Sequence, residues 1–393
     1  MDKILFWVIF IASLSKAIPR IPSFPDVVYY GSFLICFIWM ILRGGMHVSG
    51  KYLFFISAIL FSVWLNDIPS FFKVWFRMVA FFSIVFVVGP FFINDRLSHM
   101  RKLLFTRTLL VLRWVVLFSF LLKFIAPGMV TGESGFNGLT NQSMLLSPLA
   151  GICVLYGLYR FYLSETNTER CKETMYTGVS FLVLMLSGSR GALVATLIAV
   201  VFFYIRLYKY RIGKLVQTGV FILLLLASTS AIWWPYTERL REKMESNEDA
   251  GSVTFSRDGL WEDRLNEFKA FPVFGVGFSS YNLDYIQSEH SINRESGTIE
   301  PGSSWLFLLS SLGLYGFLSF LLSVSYILYV LYKNTETGLN GGLVSSVMVL
   351  FAVHMLIEGY IVASGAYLCF LFWLTFSEGE QIVRYHNKKI LYQ

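Results

Sequence analysis

Residues 256–278, SRDGLWEDRLNEFKAFPVFGVGF, stand near the middle of the one long hydrophilic interruption in this chain, from about Trp233 to Gly302. Everywhere else the polar gaps are short and the runs between them apolar. A bilayer obliges each span to satisfy its own backbone hydrogen bonds, so polar groups that bind or react gather where the chain leaves lipid. A loop of roughly 70 residues, far beyond the usual limit of ~15, is expected to carry function. It holds more acid than base, yet Arg257, Arg264 and Arg294 punctuate it. Trp261, Leu265 and Phe268 recur at i, i+4 and i+7 beside Arg257 and Arg264, which predicts an amphipathic helix near 257–270. Residues 247–251, NEDAG, read as its flexible approach.

Outward from this loop, composition sets the class. Hydrophobic residues make up 55% of the 393 and aromatics 18%, with a mean hydropathy of +0.61, the profile of an integral membrane protein. The net charge of +7 is no nucleic-acid signal, because most Lys and Arg fall in short gaps between spans. Cys36, Cys153, Cys171 and Cys369 are scattered without disulfide or metal spacing, so neither a disulfide framework nor a metal or other cofactor is expected. The first apolar segment, Ile4 to about Ile18, runs into Pro19-Arg20-Ile21-Pro22 rather than a small-residue cleavage site and reads as a retained signal anchor.

Apolar runs of span length lie near 4–18, 27–43, 51–66, 70–93, 105–126, 142–163, 175–188, 191–206, 214–234, 303–331, 341–359 and 361–377, about twelve transmembrane helices in an all-α protein. Nine occupy residues 1–232, the loop 233–302, three more helices 303–378, and a tail 379–393. Gaps with Arg43 and Lys51, with Arg96, Arg101 and Lys102, with Arg170 and Lys172, and with Arg206, Lys209, Arg211 and Lys214 share one side with Arg384, Lys388 and Lys389. That side is cytoplasmic by the positive-inside rule, which puts both termini inside and the loop outside. With no disulfide framework, this points to a bacterial inner membrane with a periplasmic loop. No internal repeat is visible, which weighs against a transporter built from two similar halves.

Ionisable groups within spans mark function unless they snorkel. Lys73 and Arg77 lie one turn apart near the start of the fourth span, either snorkelling or forming a cationic pair for phosphate. Arg113 falls inside the fifth span, unless an interfacial helix at 99–110 moves it to the cytoplasmic edge. Ser187-Gly188-Ser189-Arg190-Gly191-Ala192 breaks two apolar runs and holds Arg190 at the membrane face, an anion site by expectation. His354 and Glu358 sit at i, i+4 near the end of the eleventh span, either as an interhelix polar bond or with the carboxylate facing an external cavity.

Taken in order, four stretches resemble the O-antigen ligase/polymerase family. They are the Ser-Arg-Gly-Ala turn at 189–192; Arg257-x-x-x-Trp261-x-x-Arg264 followed by Phe271-Pro272-Val273-Phe274-Gly275-Val276-Gly277-Phe278; Pro301-Gly302-Ser303-Ser304-Trp305-Leu306 leading into Leu312-Gly313-Leu314-Tyr315-Gly316; and Gly138-Leu139-Thr140-Asn141-Gln142-Ser143. The resemblance covers roughly residues 130–360 and implies a GT-C-like membrane glycosyltransferase. Family ligases typically carry a histidine just after the proline before the post-loop span, where this chain has Gly302; the nearest loop histidine, His290, lies about a dozen residues upstream. That departure favours a Wzy-type polymerase over a ligase.

The resemblance implies a lipid substrate, oligosaccharide repeat units on undecaprenyl pyrophosphate, and a chain-length regulator as partner, with membrane lipids around the spans and no nucleic acid. The leaving group is a diphosphate, which fixed cations can neutralise without a metal. Arginine suits this because its planar fork binds phosphate oxygens bidentately. Arg190 and Arg264 form the expected core of such a clamp, with Arg257 close behind and Arg77 and Lys73 further out; Arg294 is a further substrate contact. The alternative for Arg257 and Arg264 is a solvated helix face pairing with Glu262, Asp263 or Glu267. Candidates for the base that activates the acceptor hydroxyl are His290, Glu300 and Glu358. Trp261, Tyr281 and Trp305 either stack on sugars or pack the core. A ligase and a polytopic transporter or flippase remain the competing readings.

Overall fold

The computed structural model describes residues 2–22, 24–132, 135–249, 255–287, 292–295 and 297–391. The described part is almost entirely helical. Before the long loop run α1 (Asp2–Ser15), α2 (Asp26–Leu42), α3 (Leu53–Trp64), α4 (Val74–Val88), α5 (Asp95–Ile125), α6 (Ser143–Leu163), α7 (Asn167–Leu186), α8 (Arg190–Leu207) and α9 (Ile212–Ser228). The loop region holds α10 (Ser230–Trp233), α11 (Glu238–Asp249) and α12 (Phe255–Ala270), and α13 (Ser304–Lys333), α14 (Gly338–His354) and α15 (Tyr367–Leu391) follow. Two short antiparallel pairs, 47–48 with 92–93 and 131–132 with 135–136, are the only paired strands among the described residues.

Among the described residues six helices are long and apolar enough to cross a membrane, seven if the pair Ile212–Ser228 and Ser230–Ser246, bent by 58°, is one broken span. The chain is a multi-pass membrane protein. Helices also occupy the other expected spans, but α1, α2 and α3 have 14, 17 and 12 residues, short of the ~20 that cross a hydrocarbon core unaided. Four expectations need correction. No break sets an interfacial helix apart at 99–110, because α5 is one helix of 31 residues. The ninth span stops at Ser228, and after the bend the chain stays largely helical into α11. The eleventh stops at His354, so His354 and Glu358 do not share a helical face. The twelfth starts at Tyr367, six residues late, because 355–366 are non-helical and tied into the protein.

The interior is built where α6 packs on α7, α8 and α14, while α15 lies against α5, α13 and α14, and α3 against α13. Buried arginines close helix ends from within. Arg101 donates to the carbonyls of Phe86, Val87 and Phe92, and Arg206 to those of Leu331, Asn334 and Gly338. Arg113 pairs with Glu173 at 2.9 Å and lies over the Tyr176 ring, so its charge is met within the bundle.

The long loop is anchored by a break in α13. Gly313 has φ +62° and ψ −169° in mid-helix, a backbone state open to glycine. The opened backbone is satisfied by the Pro-x-x-Gly-x-Gly stretch: Leu314 N donates to Pro272 O at 2.8 Å, Tyr315 N to Val273 O, Val276 N to Ser310 O and Gly277 N to Ser311 O. Irregular backbone among spans is tolerated where protein supplies these partners. A side chain on Gly313 would start 2.2 Å from Val273 O. The two glycine motifs are halves of one joint, and that joint lays α12 along α13.

Candidate active site

Three elements bring cations together. Between α7 and α8 the chain turns through Ser187–Ser189, with Ser189 capping α8 by accepting from Ala192 N, and Arg190 is the first residue of α8. A helix N-terminus favours an anion beside it. The bend after α9 carries α11 onto this turn. Lys243 Nζ donates to Gly188 O at 3.1 Å, and the Arg239 stem packs on Gly188, 3.4 Å from where a Cβ would stand. Burial lowers the Lys243 ammonium, the charges of Arg239 and Arg190 add to this and Glu358 opposes it, so three cations from two helices share one neighbourhood with a carboxylate. Arg190 and Arg239 are half-buried.

The third element is Arg257, near the start of α12. Its Nη1 reaches Glu300 Oε1 at 2.6 Å and its Nη2 reaches Glu358 Oε1 at 2.7 Å. One guanidinium therefore joins two of the candidate bases. Glu300 is well exposed; Glu358 is largely buried. Burial pushes the Glu358 carboxyl up to about 6 while Arg257 pulls against it. Glu358 is held by the joint between α13 and the segment after α14: Ser304 N donates to Met355 O and Glu358 O, Ser304 Oγ donates to Glu358 O at 2.7 Å, and Tyr360 N donates to Ser304 Oγ at 3.0 Å. A base must be ionised to act. Activity is therefore expected to rise with pH through about 6, and Glu358→Gln to remove that limb of the pH–rate profile; an unchanged profile would rule Glu358 out as the base.

Most of the other expected site residues have partners within the protein. Arg264, 2% exposed, pairs with the buried Glu267 and lies 3.4 Å over the Tyr281 ring. The loop interior thus occupies a group expected to meet diphosphate. Arg77 Nη1 donates to Ser279 O at 2.7 Å and its Nη2 to Gly297 O, so it ties the loop to the top of α4 rather than pairing with Lys73. Lys73 is exposed. Among the aromatics, Trp261 Nε1 donates to Gly302 O and Trp305 Nε1 to Ala352 O, while the buried Tyr281 donates to Glu300 O at 2.6 Å. Each of the three thus has a hydrogen-bond partner within the protein. Arg294 is exposed in a turn beside the Ile292–Ile299 bridge. His290 lies outside the described residues. Among the described residues no three His, Cys, Asp or Glu side chains converge as metal ligands.

Sequence reasoning missed Arg239 and Lys243. Their signal was an i, i+4 pair of cations directly after an apolar run, masked by the four glutamates and aspartates of 242–249.

Gly302 closes the site on the α13 side. Its φ is +69°, and a Cβ there would meet Leu260 Cβ at 2.8 Å. Gly302→Ala is expected to cost about 1–2 kcal/mol for the left-handed backbone alone, read as a lowered melting temperature; an unchanged one would show that α12 gives way freely.

Residues 175–321 match the family model described as O-Antigen ligase, and no curated protein matches the chain. The matched stretch runs from α7 into α13 and contains the Arg190 turn, α11, α12 and the Gly313 joint. The resemblance drawn from the residues holds at family level over this stretch: the chain is similar there to membrane glycosyl-transfer enzymes of the O-antigen ligase family.

Proposed function

We propose that the chain is a Wzy-type polymerase of a bacterial surface polysaccharide, joining repeat units carried on undecaprenyl pyrophosphate at the periplasmic face of the inner membrane. The observation that carries this reading is the gathering of Arg190, Arg239 and Lys243 beside the Arg257–Glu300–Glu358 bridge. The three cations receive the diphosphate and stabilise the negative charge that develops as it leaves. Arg257 holds two carboxylates in register, and Glu358 takes the proton from the attacking sugar hydroxyl. The new glycosidic bond forms as the bond to the diphosphate breaks, and undecaprenyl pyrophosphate is released.

The proposal includes twelve spans in a GT-C-like arrangement, cytoplasmic termini, a loop that forms half of the site, and a chain-length regulator as partner. Gly302 favours polymerase over ligase: a histidine there would have to adopt a left-handed backbone and displace Leu260. A genetic test separates the readings. Deleting the gene is expected to leave lipopolysaccharide core capped by a single repeat unit. Uncapped core with polymer retained on its carrier would instead identify a ligase, and a normal ladder would exclude both.

A further inference from the structure

We propose that a cavity between α3 and α4 is a saccharide subsite of this enzyme, separate from the cation cluster; the inference rests on the glycosyl-transfer reading. The cavity holds about 370 Å³ and is lined by Asn66, Asp67, Ser70, Lys73, Trp75 and Phe76 among others. That volume falls within the range of small-molecule sites, roughly 300–1,000 Å³.

Its chemistry is that of sugar recognition. The Asp67 carboxylate and Lys73 ammonium line the same space, yet neither makes a hydrogen bond or ion pair with a described side chain, nor with each other. A carboxylate accepts from sugar hydroxyls and an ammonium donates to them, and hydrogen bonds involving a charged group are the stronger kind. Trp75, 63% exposed, offers an apolar face with a polar edge, the amphipathic surface against which a pyranose ring packs. Lys73 is one of two described non-glycine residues with positive φ, at 51°. It takes this state at the junction between the turn Ser70–Phe72 and α4, which sets the direction in which its side chain leaves the backbone.

The cavity also joins the proposed active site through the loop. Asn66 Nδ2 donates to Gly275 O at 3.0 Å, and Ile68 lies against Gly277. The same stretch continues to Ser279, held by Arg77, and to Tyr281, which donates to Glu300 O. A saccharide held at Asp67 and Trp75 would therefore sit against the same loop stretch whose Tyr281 is bonded to Glu300 O, a place for units beyond the reacting sugar.

The test uses the purified full chain in detergent and free repeat-unit oligosaccharide, released by mild acid from the producing strain's own lipid-diphosphate-linked repeat units, with binding read by saturation-transfer NMR. Wild type and Arg190→Ala should bind it. Asp67→Asn and Trp75→Ala, both at exposed positions, should each weaken binding about tenfold, the effect of losing one hydrogen bond or contact to a charged or stacked group. Absence of binding by wild type, or wild-type binding by both cavity variants, would overturn the subsite. So would competition by phosphatidylethanolamine vesicles that displaces all bound sugar, since the cavity would then be a zwitterionic headgroup site. Cavity-dependent binding in a protein that forms no polymer would uphold the subsite and reject the polymerase reading.

Discussion

Arg190→Ala abolishes polymer while the protein remains in the membrane at its normal level: that is the result expected from the position of this residue. Arg190 opens α8 at a turn fixed by the Ser189 cap and by Lys243 on Gly188, so the turn has supports of its own when the guanidinium is removed. What is lost is preorganised positive charge beside Arg239 and Lys243. Removing one such group typically lowers turnover by about 10²–10³. Arg190→Lys keeps the charge but not the bidentate fork and should recover only part of the rate. Lipopolysaccharide ladders beside immunoblots of the membrane fraction make the comparison. A normal ladder from Arg190→Ala would remove this residue from the diphosphate site.

Arg264→Ala should be equally severe for a different reason. Its guanidinium is enclosed between Glu267 and Tyr281, and Glu267 also accepts from Asn282 N at 2.8 Å. Truncation strands a buried carboxylate, which costs about 3–5 kcal/mol, a large share of a typical stability of about 5–15 kcal/mol. The expected outcome is loss of protein, seen as a depleted membrane fraction and a lowered melting temperature. The double variant Arg264→Met, Glu267→Gln keeps an acceptor for Asn282 and removes the stranded charge, so protein should return. If polymer returns with it, Arg264 holds the loop together; if protein returns without polymer, Arg264 also meets the substrate.

These two arginines show how far the sequence could be read. Both stand out by residue type and setting, but only packing separates them. The i, i+3 spacing of Arg264 and Glu267 was visible as a surface pair; that it is buried follows from the docking of Pro272–Gly277 into the break at Gly313, a long-range event. Arg77 looked like a phosphate ligand because a cation near a span end has few local partners, yet its partners are the carbonyls of Ser279 and Gly297, some 200 residues away. The spans themselves were legible because hydropathy and length are local properties. The twelfth was misplaced because Tyr360, Ile361 and Val362 are apolar and buried without being helical. Ser304 Oγ and Trp373 Nε1 satisfy that backbone, and no hydropathy pattern distinguishes such a segment from a helix. Arg239 and Lys243 entered the site only when the bend after α9 was known.

The most direct test of the account is reconstitution of the purified chain with undecaprenyl-pyrophosphate-linked repeat units and no other protein. The expected result is a ladder of lipid-linked oligomers with release of undecaprenyl pyrophosphate, lost in Arg190→Ala and in the Arg239→Ala, Lys243→Ala double variant. No elongation, or transfer that occurs only when lipid A-core is supplied as acceptor, would contradict it.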